Sequence, residues 1–162
     1  MAEMHGHLKL DGVTGESAHD GFKGHMDILS CDFGAENNST IATGSGGGSG
    51  KAKVHELTIT KNPCTASPVL FSYVCTGKHV DSAVMTLTKT GGPANVDFVV
   101  VTMKGVNVTY HKLIHSGGDT QPKEEVRLAF GEVQFDYVPQ DAKGAKKAAI
   151  SQKFNVQTGK AS

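Results

Sequence analysis

Histidine side chains are the most numerous candidates for chemistry in this sequence, which contains eight of them. His5 and His7 are two residues apart, so a strand would place them on one face, and His19 and His25 follow closely along the chain. Two histidines at this spacing can chelate a metal ion, but no cysteine or carboxylate recurs at the spacing of a structural zinc site. We therefore interpret them as polar surface residues and predict that the protein uses no metal and no cofactor.

Nucleophiles and paired acids also fail to form a recognisable catalytic set. The three cysteines, Cys31, Cys64 and Cys75, are an odd number without a CxxC pair, which predicts free thiols. The sequence lacks the GxSxG nucleophile elbow, and Glu124 and Glu125 would point to opposite faces of a strand. We therefore predict that the protein is not an enzyme and has no catalytic residues.

A Gly-rich stretch, GSGGGSGK at residues 44–51, has the flexible composition of a linker or a phosphate-binding loop. A phosphate-binding loop needs Gly six residues before its Lys and Ser or Thr after it, but Ser45 and Ala52 occupy these positions. A linker between two domains is also disfavoured, because about 43 preceding residues are too few to complete a core. The stretch is predicted to be a long hairpin loop.

Composition limits the partners of the chain. The 162 residues contain 38% hydrophobic residues and 16 acidic and 16 basic residues, with a pI near 7.1. This predicts one domain over residues 1–162, no nucleic-acid partner and little charge repulsion between copies. Because no apolar run is long enough to cross a bilayer and the first residues do not fit a signal peptide, we predict a soluble protein made in the cytosol, with no membrane insertion.

One helix is predicted to follow Ala66. Ser67 is a candidate N-cap, Pro68 suits the first helical position, and Gly77 suits a left-handed C-terminal residue. The helix would span roughly ten residues, too few to be stable alone, so it must pack on a sheet. Its predicted docking residues are Val69, Leu70, Tyr73 and Val74.

The rest of the chain has the alternation of β-strands separated by turns. In one strand, Val126, Leu128 and Phe130 alternate inward and then Val133 begins the opposite phase, which predicts a β-bulge at Gly131. These features predict a mainly β fold, an antiparallel β-barrel or two-sheet sandwich with one flanking helix.

The strand VDFVVVTMKG at residues 96–105 is apolar on both faces, which one core does not require. Its extra face must be covered by the helix, by another sheet or by another copy of the protein. We therefore predict candidate subunit-interface residues at Val99, Val101 and Met103.

Several collinear segments of the chain resemble the haemolysin-coregulated protein (Hcp) family, the tube protein of bacterial type VI secretion. The segment LFSYVCTGKHVDSAVMTLTKTGG at residues 70–92 carries much of the resemblance. Others are residues 8–17 (LKLDGVTGES), 26–29 (MDIL), 44–51 (GSGGGSGK), 106–109 (VNVT), 124–126 (EEV) and 135–140 (FDYVPQ). Because the segments follow the family order over nearly the whole chain, the set is more specific than any single one.

The resemblance implies a homohexameric ring that stacks into an inner tube, with a spike protein at the tube end, a sheath around it and small effector proteins in its lumen. It also implies that Ser30 and Asp32 are candidates for the lumen wall. The loop implied to reach the neighbouring ring consists of Gly44, Ser45, Gly46, Gly47, Gly48, Ser49, Gly50 and Lys51.

The resemblance further implies that the protein is cytoplasmic before assembly and is then secreted through the type VI apparatus without a cleaved signal peptide. Two alternatives remain open at this level. A bacteriophage-like tail-tube protein would share the barrel and the ring, and a free secreted virulence factor would bind host cells as a monomer. Sequence patterns alone determine neither the symmetry order nor the cargo.

Overall fold

A computed structural model describes residues 3–39, 49–90 and 94–162. Eleven strands and one helix occur in these residues, which confirms the mainly β prediction. The strands before the helix are β1 (Met4–Leu10), β2 (Met26–Ile28), β3 (Ser30–Asp32), β4 (Ala35–Ser39), β5 (Ser49–Val54) and β6 (Leu57–Lys61). The helix α1 (Ser67–Thr76) is followed by β7 (His79–Lys89), β8 (Val96–Ile114), β9 (Lys123–Tyr137), β10 (Ile150–Asn155) and β11 (Lys160–Ala161).

The main sheet is antiparallel and folds over on itself. Its strands follow the order β11-β10-β9-β8-β7-β1-β2, while β6 pairs with both β9 and β3. The adjacent strands β2 and β3 therefore pair with opposite ends of the sheet, and the Leu29 amide between them donates to the Thr60 carbonyl over 2.7 Å. The arrangement fits a two-sheet sandwich rather than a closed barrel with one continuous ladder.

A phase change occurs in the long β8–β9 hairpin, but the bulge predicted at Gly131 is wrong. The register is the same on both sides of this residue, because Met103 pairs with Val133 and Val106 pairs with Phe130. Gly105, at a φ of 63°, lies opposite Gly131, and both strands exchange their inward and outward faces at this level. The left-handed backbone of one glycine thus allows a paired kink without an extra residue.

Helix α1 ends as predicted but begins one residue away from the predicted cap. Gly77 adopts a φ of 68° and its amide donates to the Tyr73 carbonyl over 2.9 Å, which completes the left-handed C-cap. At the other end, Ala66 is the N-cap, and Ser67 is the first helical residue. The Ser67 hydroxyl oxygen instead accepts a hydrogen bond of 2.9 Å from the Cys64 amide.

The helix packs on the sheet through fewer residues than predicted. Leu70 is fully buried in the core, and Tyr73 and Val74 are half-buried against it. The docking role predicted for Val69 is wrong, because its side chain lies on the outer side of the helix and is 36% exposed. The core below the helix includes Leu8, Leu57, Ile59, Met85, Met103, Val106, Val126 and Leu128.

Candidate functional site

Three exposed apolar surfaces are the main candidates for function. The first, the β9–β10 patch, consists of Phe135, Tyr137 and Ile150, which are 41%, 43% and 60% exposed. Ile150 pairs with Tyr137 across the two strands, and Phe135 is two residues before Tyr137, so the three side chains are neighbours. Adjacent exposed apolar groups of this size are typical of a contact surface.

An apolar groove continues the β9–β10 patch toward the hairpin formed by β4 and β5. It encloses about 310 Å³. The Phe33 and Phe135 rings stack along it, with centroids 5.8 Å apart and an interplanar angle of 19°. Its other lining residues include Ala35, Val54, Phe154 and Ala161. The groove and the patch together make one extended surface that another protein could cover.

Two further apolar surfaces lie elsewhere. The helix-side patch consists of Phe71 and Leu113, which are both exposed and line a common depression. The edge patch consists of the exposed side chains of Met4 and Leu29, which line a depression of about 280 Å³ together with Ile28 and Leu87. The subunit therefore carries unlike apolar surfaces on different elements.

The subunit-interface prediction for Val99, Val101 and Met103 is wrong. Val101 and Met103 are fully buried in the core of the subunit, and Val99 is half-buried against that core. Strand β8 is apolar on both faces, but the face that we assigned to a partner is the inner one. On the other face, the ammonium of Lys89 lies 4.4 Å from the centre of the Phe98 ring and partly shields it.

The lumen candidates Ser30 and Asp32 lie on a polar, solvent-exposed face. Ser30 pairs with Thr60 and Asp32 pairs with Thr58 in the β3–β6 ladder, so four hydrophilic side chains are neighbours there. Ser30 and Thr60 share a hydroxyl hydrogen bond of 2.5 Å. The exposure of the two residues is compatible with a wall facing water, and their place in an assembly remains a prediction.

The predicted stacking loop falls mostly outside the described residues. Residues 44–48 lie in the undescribed segment, while Ser49, Gly50 and Lys51 begin strand β5. Strand β5 pairs with β4 in a separate two-stranded sheet, and every residue of β4 is exposed. Strands β4 and β5 therefore stand outside the ladder of the main sheet, and residues 40–48 between them lie outside the described residues.

A buried ionic cluster under the start of the helix was missed by sequence reasoning. Lys61 and Glu124 are opposite each other in the β6–β9 ladder, and their charged groups lie 2.6 Å apart in the interior. The Lys61 ammonium also donates to the Ser67 hydroxyl and to the Cys64 sulfur, and His111 approaches Glu124 at 3.3 Å. Lys61 continues the inward alternation of Leu57 and Ile59, a signal that could have shown its burial.

The electrostatics of the cluster favour an ionised Glu124. Burial raises the pKa of this carboxyl group, but hydrogen bonds from Lys61 and Ser67 and the charges of Lys61 and His111 outweigh burial and bring the pKa below its ordinary value. The cluster joins two strands to the helix start. Because each charge has a close partner, the arrangement is that of a structural ion pair.

The remaining reactive side chains are the cysteines and the possible metal ligands. The three cysteines are free thiols, and burial raises the pKa of Cys31. Over residues 3–39, 49–90 and 94–162, no three His, Cys, Asp or Glu side chains are arranged to hold a metal ion. Within the same residues no helix is long and apolar enough to cross a lipid bilayer.

Comparison with known proteins identifies relatives over most of the chain. The profile of the family described as "Type VI secretion system effector, Hcp" matches residues 7–137. The protein hcp1 of Pseudomonas aeruginosa is 36% identical over 139 residues, which cover 86% of each chain.

Solved structures agree with this relationship. A structure described as a type six secretion system protein superposes with a TM-score of 0.92 at 29% identity and covers 99% of this chain and all of its own. The crystal structure of Hcp1 from Salmonella typhimurium superposes with a TM-score of 0.80 at 28% identity and covers 99% of both chains.

Proposed function

Because the chain belongs to the Hcp family of type VI secretion proteins, we propose that it is the subunit of the inner tube. Copies form a hexameric ring, rings stack end to end, and the tube is expelled with effector proteins in its lumen. The family is structural and secreted rather than enzymatic, so the proposal assigns no catalytic residue.

The observation that carries the proposal is the presence of unlike apolar surfaces on one subunit. A ring is built by head-to-tail contacts, in which one surface of each copy contacts a different surface of the next. The β9–β10 patch, with Phe135, Tyr137 and Ile150 exposed, supplies one such surface. The helix-side and edge patches offer the second, and the net charge of zero opposes association little.

The hairpin of β4 and β5 supports the proposal that rings stack through residues 44–51. Its strand β4 is exposed along its whole length, so little within the subunit covers this hairpin. The Gly-rich composition of residues 44–51 would let the backbone of this segment adapt to an edge or groove of the next ring.

The polar face around Ser30 and Asp32 supports a lumen role for these two residues. A channel wall in contact with water and passing proteins must be hydrophilic, and Thr58 and Thr60 extend the polar surface beside them. In this proposal the spike protein contacts the tube end, the sheath surrounds the outer wall, and the protein leaves the cytoplasm through the apparatus without a cleaved signal peptide.

Negative-stain electron microscopy of the purified protein tests the proposal directly. We expect rings with a central hole, and mass photometry at micromolar concentration should show the mass of a ring. A population that contains only monomers would contradict the proposal and would favour a free secreted binding factor.

A further inference from the structure

Four of the eight histidines come together beside strand β1. His5 and His7 project from the same face of β1, and the His19 ring lies 4.7 Å from His5 and 5.0 Å from His7, measured between ring centroids. The Phe22 ring stacks on the His7 ring, with centroids 4.1 Å apart and an interplanar angle of 11°. The Phe22 ring also lies edge-on to the His25 ring, with centroids 5.4 Å apart. We call the rings of His5, His7, His19, Phe22 and His25 the histidine latch.

The latch holds the loop of residues 11–25 against the sheet. Within this loop the Gly15 amide donates to the Gly24 carbonyl over 2.7 Å, and the Ser17 amide donates to the His25 carbonyl over 2.9 Å. A Cβ atom on Gly15 would lie 2.4 Å from the His25 oxygen, so the two loop segments approach as closely as a glycine allows. The ring contacts of His19 and Phe22 join the later part of this loop to β1, while Val13 at its start is buried in the core and its amide donates to the Leu10 carbonyl over 3.0 Å.

Charged groups around the latch are few. A carboxylate oxygen of Asp27 in β2 lies 2.9 Å from Nδ1 of the buried His7, and a carboxylate oxygen of Glu3 lies 3.6 Å from Nε2 of His5. On the other side of β1, strand β7 presents Thr88 opposite His5 and Thr86 opposite His7, which carry no charge. The positive charge of Lys9 repels His25 when that histidine is protonated. Two carboxylates are therefore available for four imidazolium groups.

Protonation is disfavoured while the loop is closed. Burial lowers the pKa of His7, and His19 and His25 lower it further, although Asp27 acts in the opposite direction. Burial and Lys9 lower the pKa of His25. Because an open loop would return both groups toward the ordinary value of 6.5, the open form binds more protons below that pH. Acid therefore shifts the equilibrium toward the open loop, and the closed loop is favoured above this range.

We propose that the histidine latch is an acid-sensitive device that releases residues 17–25 of this loop from strand β1 when its imidazoles become protonated, while Val13 stays in the core. The His19 ring, whose centroid lies 4.7 Å from that of His5 and 5.0 Å from that of His7, would then be repelled by both rings, while the core under β8 and β9 stays closed. This inference goes beyond the tube role, and it applies to the single subunit as well as to an assembly.

Amide hydrogen exchange measured between about pH 7.5 and about pH 5 tests the latch, because histidines change charge in this range. After correction for the intrinsic exchange rate, we expect the amides of Ser17, Gly24 and His25 to open several-fold more often at the acidic end, because the pKa values of His7 and His25 are lowered in the closed loop. Amides in the centre of β8 should change much less. Equal changes in the loop and in β8 would overturn the proposal.

The variant His19→Gln sharpens the test, because His19 is exposed and its replacement should not prevent folding. We expect the acid response of the loop to become weaker in this variant. His79→Gln, the same change at the exposed start of β7, is the matched control and should respond as the unaltered protein does. An unaltered acid response in His19→Gln would reject the latch and leave the tube proposal untouched.

Discussion

The two halves of strand β9 have similar alternating sequences and opposite surroundings. In the first half, Val126 and Leu128 are fully buried and face the core of the subunit. In the second half, Phe135 and Tyr137 also occupy alternate positions, yet both are more than two-fifths exposed. The first half pairs with β6, and the second half pairs with β10 beyond the glycine kink.

The difference shows that alternation identifies an apolar face without identifying what covers it. The inner half of β9 is covered by the opposing strands of its own subunit, so its residues contribute to folding. The outer half extends past the core and is available to a partner. We therefore expect substitutions on inner positions to change stability and substitutions on outer positions to change assembly.

The largest effect is expected from a charge placed at an inner position of the helix. Leu70→Asp buries an unpaired carboxylate and should destabilise the subunit by about 5 kcal/mol, enough to unfold many domains of this size. Thermal unfolding followed by circular dichroism measures the change. Val69→Asp is the matched control, because Val69 is the exposed neighbour, and it should change stability by less than about 1 kcal/mol. Equal losses in both variants would contradict the docking of the helix.

The buried ion pair extends the comparison to charged residues. Lys61→Met leaves the Glu124 carboxylate buried without its main partner and should cost about 3–5 kcal/mol at neutral pH, measured by denaturant unfolding. Lys153→Met breaks the partly exposed pair of Lys153 and Glu132, whose charges are 2.9 Å apart, and should cost much less stability than Lys61→Met because solvent screens this pair.

The pH dependence of Lys61→Met provides a second readout. In the native protein the pKa of Glu124 is lowered, so the pair stabilises the fold above the ordinary value of 4.5 and this contribution is lost as the pH falls below it. The stability gap between the native protein and Lys61→Met should therefore narrow in acid. A gap independent of pH would show that lost packing, rather than charge, causes the destabilisation.

A smaller loss of stability is expected from shortening an inner side chain of β9. Leu128→Ala creates a cavity in the core and should cost about 3 kcal/mol, within the usual range for buried leucine. Phe135→Ala, in the outer half of the same strand, should cost much less in the single subunit. Urea unfolding of both variants under dissociating conditions measures the difference. Similar costs would show that the two halves are equally buried in the folded subunit.

Ring assembly, unlike subunit stability, should depend more on the outer half of β9 than on its inner half. Phe135→Asp places a charge on the β9–β10 patch and should abolish rings while leaving the thermal transition of the subunit within a few degrees of the native value. Native mass spectrometry and thermal unfolding together give the two readouts. Intact rings in this variant would show that the β9–β10 patch is not a subunit contact.

The smallest effect on the subunit is expected in the Gly-rich segment of residues 44–51. Gly47→Glu adds charge and bulk to the segment proposed to reach the next ring, so it should hinder stacking and leave single rings intact. Electron microscopy at high protein concentration distinguishes tubes from separate rings. Loss of rings as well as tubes would show that residues 44–51 do more than stack.

Local features of the chain were predictable because their physical causes are local. Pro68 and Gly77 predicted the two ends of the helix to within about one residue. The N-cap assignment was wrong by one position, since the Ser67 hydroxyl binds the Cys64 amide before the helix instead of capping it. Free cysteines and the opposite orientation of Glu124 and Glu125 were also predicted correctly.

Long-range features were harder to predict because they depend on which strands become neighbours. The pairing of Lys61 with Glu124 joins residues far apart in the chain, and the histidine latch depends on a loop that folds back over β1. The kink in β9 was visible as a change of phase, but its cause, Gly105 on the adjacent strand, became apparent only through the β8–β9 register.

The sequence by itself determined a mainly β chain with one docked helix, its turns, its lack of net charge and its resemblance to a tube protein. The strands, the helix and the turns follow from the periodicity of apolar residues and from the backbone preferences of proline and glycine, which act over a few residues, whereas the net charge follows from composition and the resemblance from collinear sequence segments. Only the tertiary structure decided which side of β8 faces the core, because both sides are equally apolar in sequence. Burial depends on the element that lies opposite each face, and that element comes from a distant part of the chain.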